Sequence, residues 1–128
     1  AADTLDAVAR SLPALMRAEK IQDKARKAGF DWDSVGPALD KLSEELEELK
    51  TAAAEGTNVA EELGDLLFSA VNAARFLKVD PEDALNGATD KFIGRFRKVE
   101  AQAAAQGKAM EDMGLEELDA LWERAKET

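Results

Sequence analysis

The side chains best able to do chemistry in this sequence are carboxylates in two short segments. They are Glu44, Glu45, Glu47 and Glu48 in the first segment, and Glu61, Glu62 and Asp65 in the second. In a helix, Glu45 and Glu48 lie on the flanks of one apolar stripe. Glu62 and Asp65 lie in a polar strip beside another such stripe. Carboxylates that share a cleft repel one another unless cations are present. The spacing therefore indicates a site for divalent metal ions, although a solvated acidic helix face shows the same spacing.

The available ligand side chains limit which metal such a site can hold. The chain contains no cysteine and no histidine, which excludes zinc fingers, haem ligated by His or Cys, and Ser-His-Asp triads. A ferritin-like di-iron site is disfavoured for the same reason, because those sites use Glu-x-x-His. Oxygen ligands alone favour Mg²⁺, Mn²⁺ or Ca²⁺. Since Mg²⁺ keeps coordination positions for water and substrate phosphates, the carboxylates suit a site that cleaves phosphates.

The elements that must position these carboxylates are predicted to be helices. The chain has 25 alanines and 15 leucines against 13 residues of Val, Ile and Thr together, a composition that favours an all-α fold. Prolines, glycines and apolar periodicity delimit four main helices and a short C-terminal helix. The predicted spans are 11–28, 37–55, 59–78, 81 to just before Gly107, and 115–126.

Helices two and three are joined by a short connection that contains Gly56. Short connections join antiparallel neighbours, so we expect the two acidic segments to face each other across an antiparallel bundle. The apolar stripes of these two helices are predicted to point inward; they consist of Leu39, Leu42, Leu46, Leu49, Ala53, Leu63, Leu66, Leu67, Ala70, Ala74 and Leu77. Helix four is predicted to begin with Asp80 as its cap and Pro81 as its first residue. Its predicted buried residues are Leu85, Phe92, Phe96 and Val99.

Charge and length limit the remaining classes of protein. The chain has 27 acidic and 17 basic side chains and a net charge of -10, which argues against a nucleic-acid partner, because such binding needs clustered Lys and Arg. No stretch approaches the ~18 apolar residues of a membrane span, so no membrane partner is expected. We expect a cytoplasmic protein with one domain at residues 11–128, preceded by a linker or N-terminal extension at residues 1–10.

The two acidic segments resemble a known signature. Glu44-Glu45-Leu46-Glu47-Glu48, followed by Glu62-Leu63-Gly64-Asp65, is similar to the EExxE and ExxD motifs of the all-α nucleoside triphosphate pyrophosphohydrolases, and specifically of MazG. The other matching parts are 20–24, 29–33, 73–75, Lys91 with Phe92, Arg95 with Phe96, and Trp122 with Lys126. The resemblance covers about residues 11–126. It looks like the C-terminal, active domain of those MazG proteins that carry two domains.

The resemblance implies Mg²⁺-assisted hydrolysis of a nucleoside triphosphate to the monophosphate and pyrophosphate, with Mn²⁺ as a substitute ion. It also implies a helical bundle that forms a homodimer or a higher homo-oligomer. The implied metal ligands are Glu45, Glu48, Glu62 and Asp65. The catalytic set is Glu44, Glu45, Lys91 and Arg95, in which Glu44 could orient a ligand or a water. The set that binds substrate is Asn72, Lys91, Arg95, Trp122 and Lys126.

Two other functions stay open from the residues alone. The same fold could act on a narrower nucleotide, such as dUTP or phosphoribosyl-ATP, since related bundles have similar acidic motifs. A non-catalytic acidic helical module that binds a protein partner would share the composition, but it would show no dependence on divalent metals. Lys91 and Arg95 also fit a solvated basic helix face, and Trp122 also fits a structural role.

Overall fold

The computed structural model describes residues 5–127, and this part of the chain is all-helical, without a strand. Its five helices are α1 (Ala14–Lys27), α2 (Val35–Glu55), α3 (Val59–Phe76), α4 (Pro81–Ala105) and α5 (Leu115–Lys126). A short 3₁₀ helix, Met110–Asp112, lies between α4 and α5. The predicted all-α class is therefore confirmed for this part of the chain, and the predicted span of α5 matches the observed one. Residues 5–10 of the predicted N-terminal extension form turns, and its first four residues lie outside the described part.

The ends of α1 and α2 show how proline and glycine set helix boundaries. The prediction that α1 starts at Ser11 is wrong, because Pro13 is extended at ψ 144° and the helix begins only after it. Residues before a proline avoid the α region, so Leu12 cannot continue a helix into Pro13. Gly29 ends the helix at φ 102°, and the Phe30 N–H donates to the Ala25 carbonyl at 2.9 Å, as in a Schellman motif.

The third helix ends two residues earlier than its periodicity predicts. Lys78 has φ 60°, a left-handed conformation that is uncommon for a residue with a side chain. The Val79 N–H then donates to the Ala74 carbonyl at 3.0 Å, which closes the helix end in the same way as at Gly29.

The second helix begins earlier than predicted. It starts at Val35, two residues before Pro37. Pro37 still lies in the first turn, where its missing N–H leaves no helical hydrogen bond unmade.

The chain divides into two compact units, with the boundary after Ala84. In the first unit, α3 packs against both α2 and α1. The buried apolar positions of the first unit are small residues, namely Ala38, Ala52, Val71 and Ala73. Small residues at a contact allow helix axes to approach closely. The core of the second unit consists of Val99, Ala103, Met113, Leu121 and Ala125.

The predicted burial of the large apolar stripes is wrong at many positions. Of the four residues predicted to be buried on α4, Val99 is buried, whereas Leu85, Phe92 and Phe96 are 54%, 55% and 37% exposed. Exposed leucines also lie along α2 and α3 and at the C-terminal end of α3; they are Leu39, Leu46, Leu63, Leu67 and, at the helix end, Leu77. The physical reason is that each helix presents apolar residues on more than one side, while the packing within a unit covers only one. No helix among residues 5–127 is long and apolar enough to cross a membrane.

The cap of α4 gives the first prediction. One carboxylate oxygen of Asp80 accepts hydrogen bonds from the N–H groups of Glu82 at 2.9 Å and Asp83 at 3.2 Å. Replacing a helix cap by Ala costs about 1 kcal/mol, so Asp80→Ala should lower the free energy of unfolding by about that amount in urea titrations followed by circular dichroism. Asp80→Asn keeps the acceptor and should lose much less. Equal stability of the Ala variant and the parent would contradict the capping role.

Candidate metal centre

Three carboxylates meet where α2 and α3 pack together. Glu45 and Glu48 come from successive turns of α2, and Glu62 comes from the first turn of α3. Each residue contributes one carboxylate oxygen, and these three oxygens lie within 4.8 Å of one another. We call these three residues the carboxylate cluster. The packing of the two helices thus brings together residues that are 14 to 17 positions apart in the sequence.

The cluster contains acceptor atoms that the protein itself leaves unused. Glu45 is only 5% exposed, whereas Glu62 is half-buried and Glu48 is exposed. Among the described residues, Oε2 of Glu45 and Oε2 of Glu62 are buried without a hydrogen-bond partner. Buried carboxylate oxygens are costly unless something binds them. Carboxylate oxygens are ligands that hard divalent cations such as Mg²⁺ and Mn²⁺ bind, so the cluster could hold such an ion together with water.

A lysine that the sequence analysis did not select touches this cluster. The Nζ of Lys41 lies 3.1 Å from Oε1 of Glu45 and 3.4 Å from Oε1 of Glu44. Glu45 first, and then Glu44, raises the pKa of Lys41. The signal that could have found Lys41 is its i, i+4 spacing from Glu45, which places both side chains on one helix face. Lys41 therefore offsets part of the negative charge of the cluster.

The protonation of Glu48 reflects the crowding of negative charge. The hydrogen bond and charge of Glu45, followed by those of Glu62, raise the pKa of Glu48 from 4.5 to about 6. A carboxylic acid held next to a carboxylate keeps its proton because two like charges at contact distance are unfavourable. The metal-free cluster therefore retains a proton on the exposed member of the group at mildly acidic pH.

Two other residues predicted for this site lie outside the cluster. Asp65 follows Glu62 by three residues on α3, but it is exposed and is not one of the three grouped carboxylates. Glu44 lines an open acidic groove of about 490 Å³ together with Glu48 and Glu62. The groove gives the cluster access to solvent on the side of α2 where Glu44 lies.

The predicted basic and aromatic residues belong to the second unit. Arg95 is half-buried with its Cζ 6.0 Å from the centre of the Trp122 ring, a cation–π distance. The ring of Phe92 lies 5.2 Å from the same tryptophan. Lys91 is exposed, and Lys126 forms an i, i+3 ion pair with Glu123 at 3.2 Å. Arg95 and Trp122 thus form one patch within this unit.

Asn72 belongs to a polar network that the sequence analysis missed. Its Oδ1 accepts a hydrogen bond from Arg75 at 2.7 Å, and Arg75 also makes a two-point ion pair with Asp31. Arg75 holds the pKa of Asp31 below its ordinary value. Asp31 and Arg75 are 44 positions apart, so no local spacing rule connects them.

Comparison of the sequence with known proteins relates this chain to a family. Residues 36–100 match the family model described as the MazG nucleotide pyrophosphohydrolase domain. The chain is 45% identical over 126 residues to a nucleoside triphosphate pyrophosphohydrolase of Escherichia coli (strain K12), covering 95% of this chain and 48% of the relative. It is 48% identical over 115 residues to the nucleoside triphosphate pyrophosphohydrolase/pyrophosphatase MazG of Thermotoga maritima, covering 90% of this chain and 45% of the relative.

A third relative is an uncharacterized protein, YabN, of Bacillus subtilis (strain 168). It is 46% identical over 127 residues, which cover 97% of this chain and 26% of that protein. The chain therefore spans nearly half the length of the first two relatives and about a quarter of the third. The carboxylate cluster lies wholly within the stretch that matches the family model.

The raised pKa of Glu48 predicts how stability depends on pH. A carboxyl whose pKa is higher in the folded than in the unfolded state stabilises the fold below its unfolded value, and this stabilisation is lost as the pH rises through the folded value. Without metal, the free energy of unfolding should therefore lose this contribution between about pH 4.5 and about pH 7. Urea titrations with a chelator present measure it.

Glu48→Gln should remove this loss from the pH profile. Asp40→Asn, an exposed acidic position on the same helix outside the cluster, is the matched control and should keep it. Superimposable profiles for Glu48→Gln and the parent would contradict the proton assignment.

Proposed function

Since the chain belongs to the MazG nucleotide pyrophosphohydrolase domain family, we propose that it hydrolyses nucleoside triphosphates of the cytoplasmic pool to the monophosphate and pyrophosphate. The observation that carries this proposal is the carboxylate cluster, with its two buried and unpartnered oxygens, inside the matched stretch. In the proposed reaction, water adds across the anhydride between the α and β phosphates. The bond between one of these phosphorus atoms and the bridging oxygen breaks. The water oxygen bonds to that phosphorus and loses a proton, and the bridging oxygen leaves with the other product.

We propose that the cluster holds Mg²⁺, for which Mn²⁺ is a substitute. Glu45, Glu48 and Glu62 supply the hard oxygen ligands, and Asp65 is proposed to join them on substrate binding. The bound ion would neutralise phosphate charge and lower the pKa of a coordinated water. The protein positions the ligands, and Lys41 holds the Glu45 carboxylate in place through the contact at 3.1 Å. Glu44, at the rim of the groove, is proposed to orient the attacking water.

The proposed role of the second unit is to bind the substrate. Lys91 and Arg95 would neutralise phosphate oxygens as charge shifts to the leaving group. Arg95 is suited to this role because its planar fork can bind two oxygens at once. Trp122 holds the Arg95 guanidinium from one side. Lys126 and Asn72 complete the proposed set that binds substrate.

We further propose that the helices pack as an antiparallel bundle and that two copies of the chain associate. Each unit exposes large apolar side chains; among them are Leu63, Leu67, Phe68, Leu85, Phe92 and Ile93. Exposed apolar area of this kind is typical of a surface that another chain covers. A sedimentation measurement of the molecular mass tests this part of the proposal, and a monomeric mass at micromolar concentration would contradict it.

The function is tested by measuring pyrophosphate release from a panel of nucleoside triphosphates, with and without Mg²⁺. Glu62→Gln keeps the shape of the side chain and removes one ligand charge. Release should fall by about 100-fold or more, since metal assistance is worth several kcal/mol. Asp40→Asn is the control and should match the parent.

The metal site would be contradicted if pyrophosphate were released in the presence of a chelator and without added metal. Full activity of Glu62→Gln would also contradict it. A parent that releases no pyrophosphate from any triphosphate would favour the non-catalytic interaction module instead. Activity confined to dUTP or to phosphoribosyl-ATP would support the narrower substrate.

Arg95 gives a separate prediction, because it should act on phosphate and not on the metal. Arg95→Ala should lower kcat/KM by about ten- to a hundredfold, the scale of a charge-assisted hydrogen bond. Arg95→Lys should restore only part of it, since an ammonium cannot reproduce the bidentate fork. Calorimetric titration with Mg²⁺ in the absence of nucleotide should give the same affinity for all three proteins. Unchanged kinetics of the Ala variant would show that Arg95 is structural.

A further inference from the structure

A small charged cleft lies in the first unit, where α1, the C-terminal end of α3 and the turn between α3 and α4 meet. Its volume is about 300 Å³, and it shares no residue with the carboxylate cluster. Three of its charged side chains are positive and three are negative; they are Lys20, Arg75, Lys78, Glu19, Asp23 and Asp80. What the cleft can bind therefore depends on which of these charges the protein already pairs.

Two of the three acidic side chains are already bound. The carboxylate of Asp23 lies 3.0 Å from a guanidinium nitrogen of Arg26 and 3.2 Å from Nζ of Lys27. One carboxylate oxygen of Asp80 accepts the two N–H hydrogen bonds that cap α4. A carboxylate that is paired or that caps a helix has its negative charge partly compensated. Glu19 is then the one acidic side chain of the cleft without such compensation among residues 5–127.

The positive side chains of the cleft retain unused donors. Within residues 5–127, Lys20 and Lys78 form no hydrogen bond and no ion pair. The Arg75 guanidinium binds Asp31 and Asn72 through its terminal nitrogens, but its Nε is buried without a partner in the same part of the chain. Ammonium and guanidinium groups are donors only. The group that could satisfy them is an acceptor with negative charge.

The backbone at Lys78 indicates that its side chain has a use. Lys78 has φ 60°, whereas the left-handed residues that follow α1, α2 and α4 are all glycines, namely Gly29, Gly56 and Gly107. A side chain disfavours this conformation and glycine does not. The helix end itself would therefore be more stable with glycine at position 78. Residues held in such conformations are concentrated at functional sites, and what lysine adds here is a positive charge at the cleft.

We infer that this cleft binds a small phosphate-type anion, with Lys20 and Lys78 donating hydrogen bonds to its oxygens and Arg75 adding positive charge. A phosphate group offers several acceptor oxygens around one centre, and lysine binds such groups as a point charge. An inorganic phosphate ion and a phosphate monoester share this chemistry. The inference does not rest on the proposed function, because no residue of the cleft belongs to the proposed metal-binding or substrate-binding sets.

The test compares inorganic phosphate with sodium chloride of equal ionic strength, in the presence of a chelator. An anion that binds only the folded protein raises the unfolding temperature by mass action. At about ten times the dissociation constant measured by calorimetry, phosphate should raise this temperature by about 3 °C or more above its value in chloride. Thermal unfolding followed by circular dichroism gives both values.

Lys78→Gly separates the role of the side chain from that of the backbone. In chloride its unfolding temperature should be higher than that of the parent, because glycine relieves the left-handed conformation. Its phosphate affinity should nevertheless be about tenfold lower or less, the scale of a lost charge-assisted hydrogen bond. Lys20→Met keeps the apolar stem without the charge and should weaken phosphate binding to a similar extent.

Two further variants show whether the effect belongs to the cleft. Lys108→Met is the matched control, since Lys108 pairs with Glu117 at 3.0 Å in the second unit, and it should bind phosphate as the parent does. Arg95→Ala should also bind free phosphate normally. If Arg95→Ala lost as much affinity as Lys78→Gly, the anion would belong to the proposed substrate site and the inference would be overturned.

The source of the phosphate group is distinguished by a second probe. Glycerol phosphate that binds the parent, and that binds Lys78→Gly about tenfold more weakly, would support the site with a phosphate monoester as ligand. Binding of inorganic phosphate alone, with the same dependence on Lys78, would support it with the free ion as ligand.

Equal unfolding temperatures of the parent in phosphate and in chloride would overturn the inference. Equal phosphate affinity of the parent, Lys20→Met and Lys78→Gly would also overturn it. None of these measurements needs nucleotide hydrolysis. The cleft can therefore bind phosphate in a protein that releases no pyrophosphate, and the proposed function can hold in a protein whose cleft is empty.

Discussion

The repulsion among three carboxylates at the contact of α2 and α3 is the constraint on which the rest of this site depends. Packing the two helices brings Glu45, Glu48 and Glu62 within 4.8 Å, and like charges at this distance are unfavourable without a counter-charge. Lys41 supplies one positive charge, and a proton retained on Glu48 removes one negative charge. Neither satisfies the two buried oxygens. A bound cation is the partner that we propose for these two oxygens.

The three carboxylates differ in environment, so that one is held by the protein and another is open to solvent. Glu45 is buried and paired with Lys41, so its position is set by the protein. Glu48 is exposed and opens onto the acidic groove, where solvent and solutes have access. Lys41 also lines a second cavity of about 380 Å³, together with the rings of Phe30, Trp32 and Phe68. One lysine therefore contacts a carboxylate of the cluster and also lines a mostly apolar cavity.

Much of the apolar side-chain surface stays exposed because the two units are small. Helices that carry apolar residues on more than one side cannot bury all of these residues within units of this size. Many of the large leucines and phenylalanines are exposed, while alanines and valines occupy most of the buried apolar positions; Leu121 and Met113 are exceptions among the described residues. The relatives are about twice as long as this chain or longer, so each of them contains sequence beyond the part that matches this chain.

Local sequence determined the helices, most of their ends and the ligand types. Ala-rich and Leu-rich composition gives helices through propensity, and Gly29, Asp80 and Pro81 mark boundaries through backbone conformation and capping, which act over a few residues. The absence of histidine and cysteine limits any metal held by this sequence to oxygen ligands. Tertiary structure alone decided that Glu62 joins Glu45 and Glu48 while Asp65 stays outside, and that Asp31 meets Arg75 across 44 positions. It also decided which side of each apolar helix is buried, because periodicity describes one helix and burial depends on which neighbour packs against it.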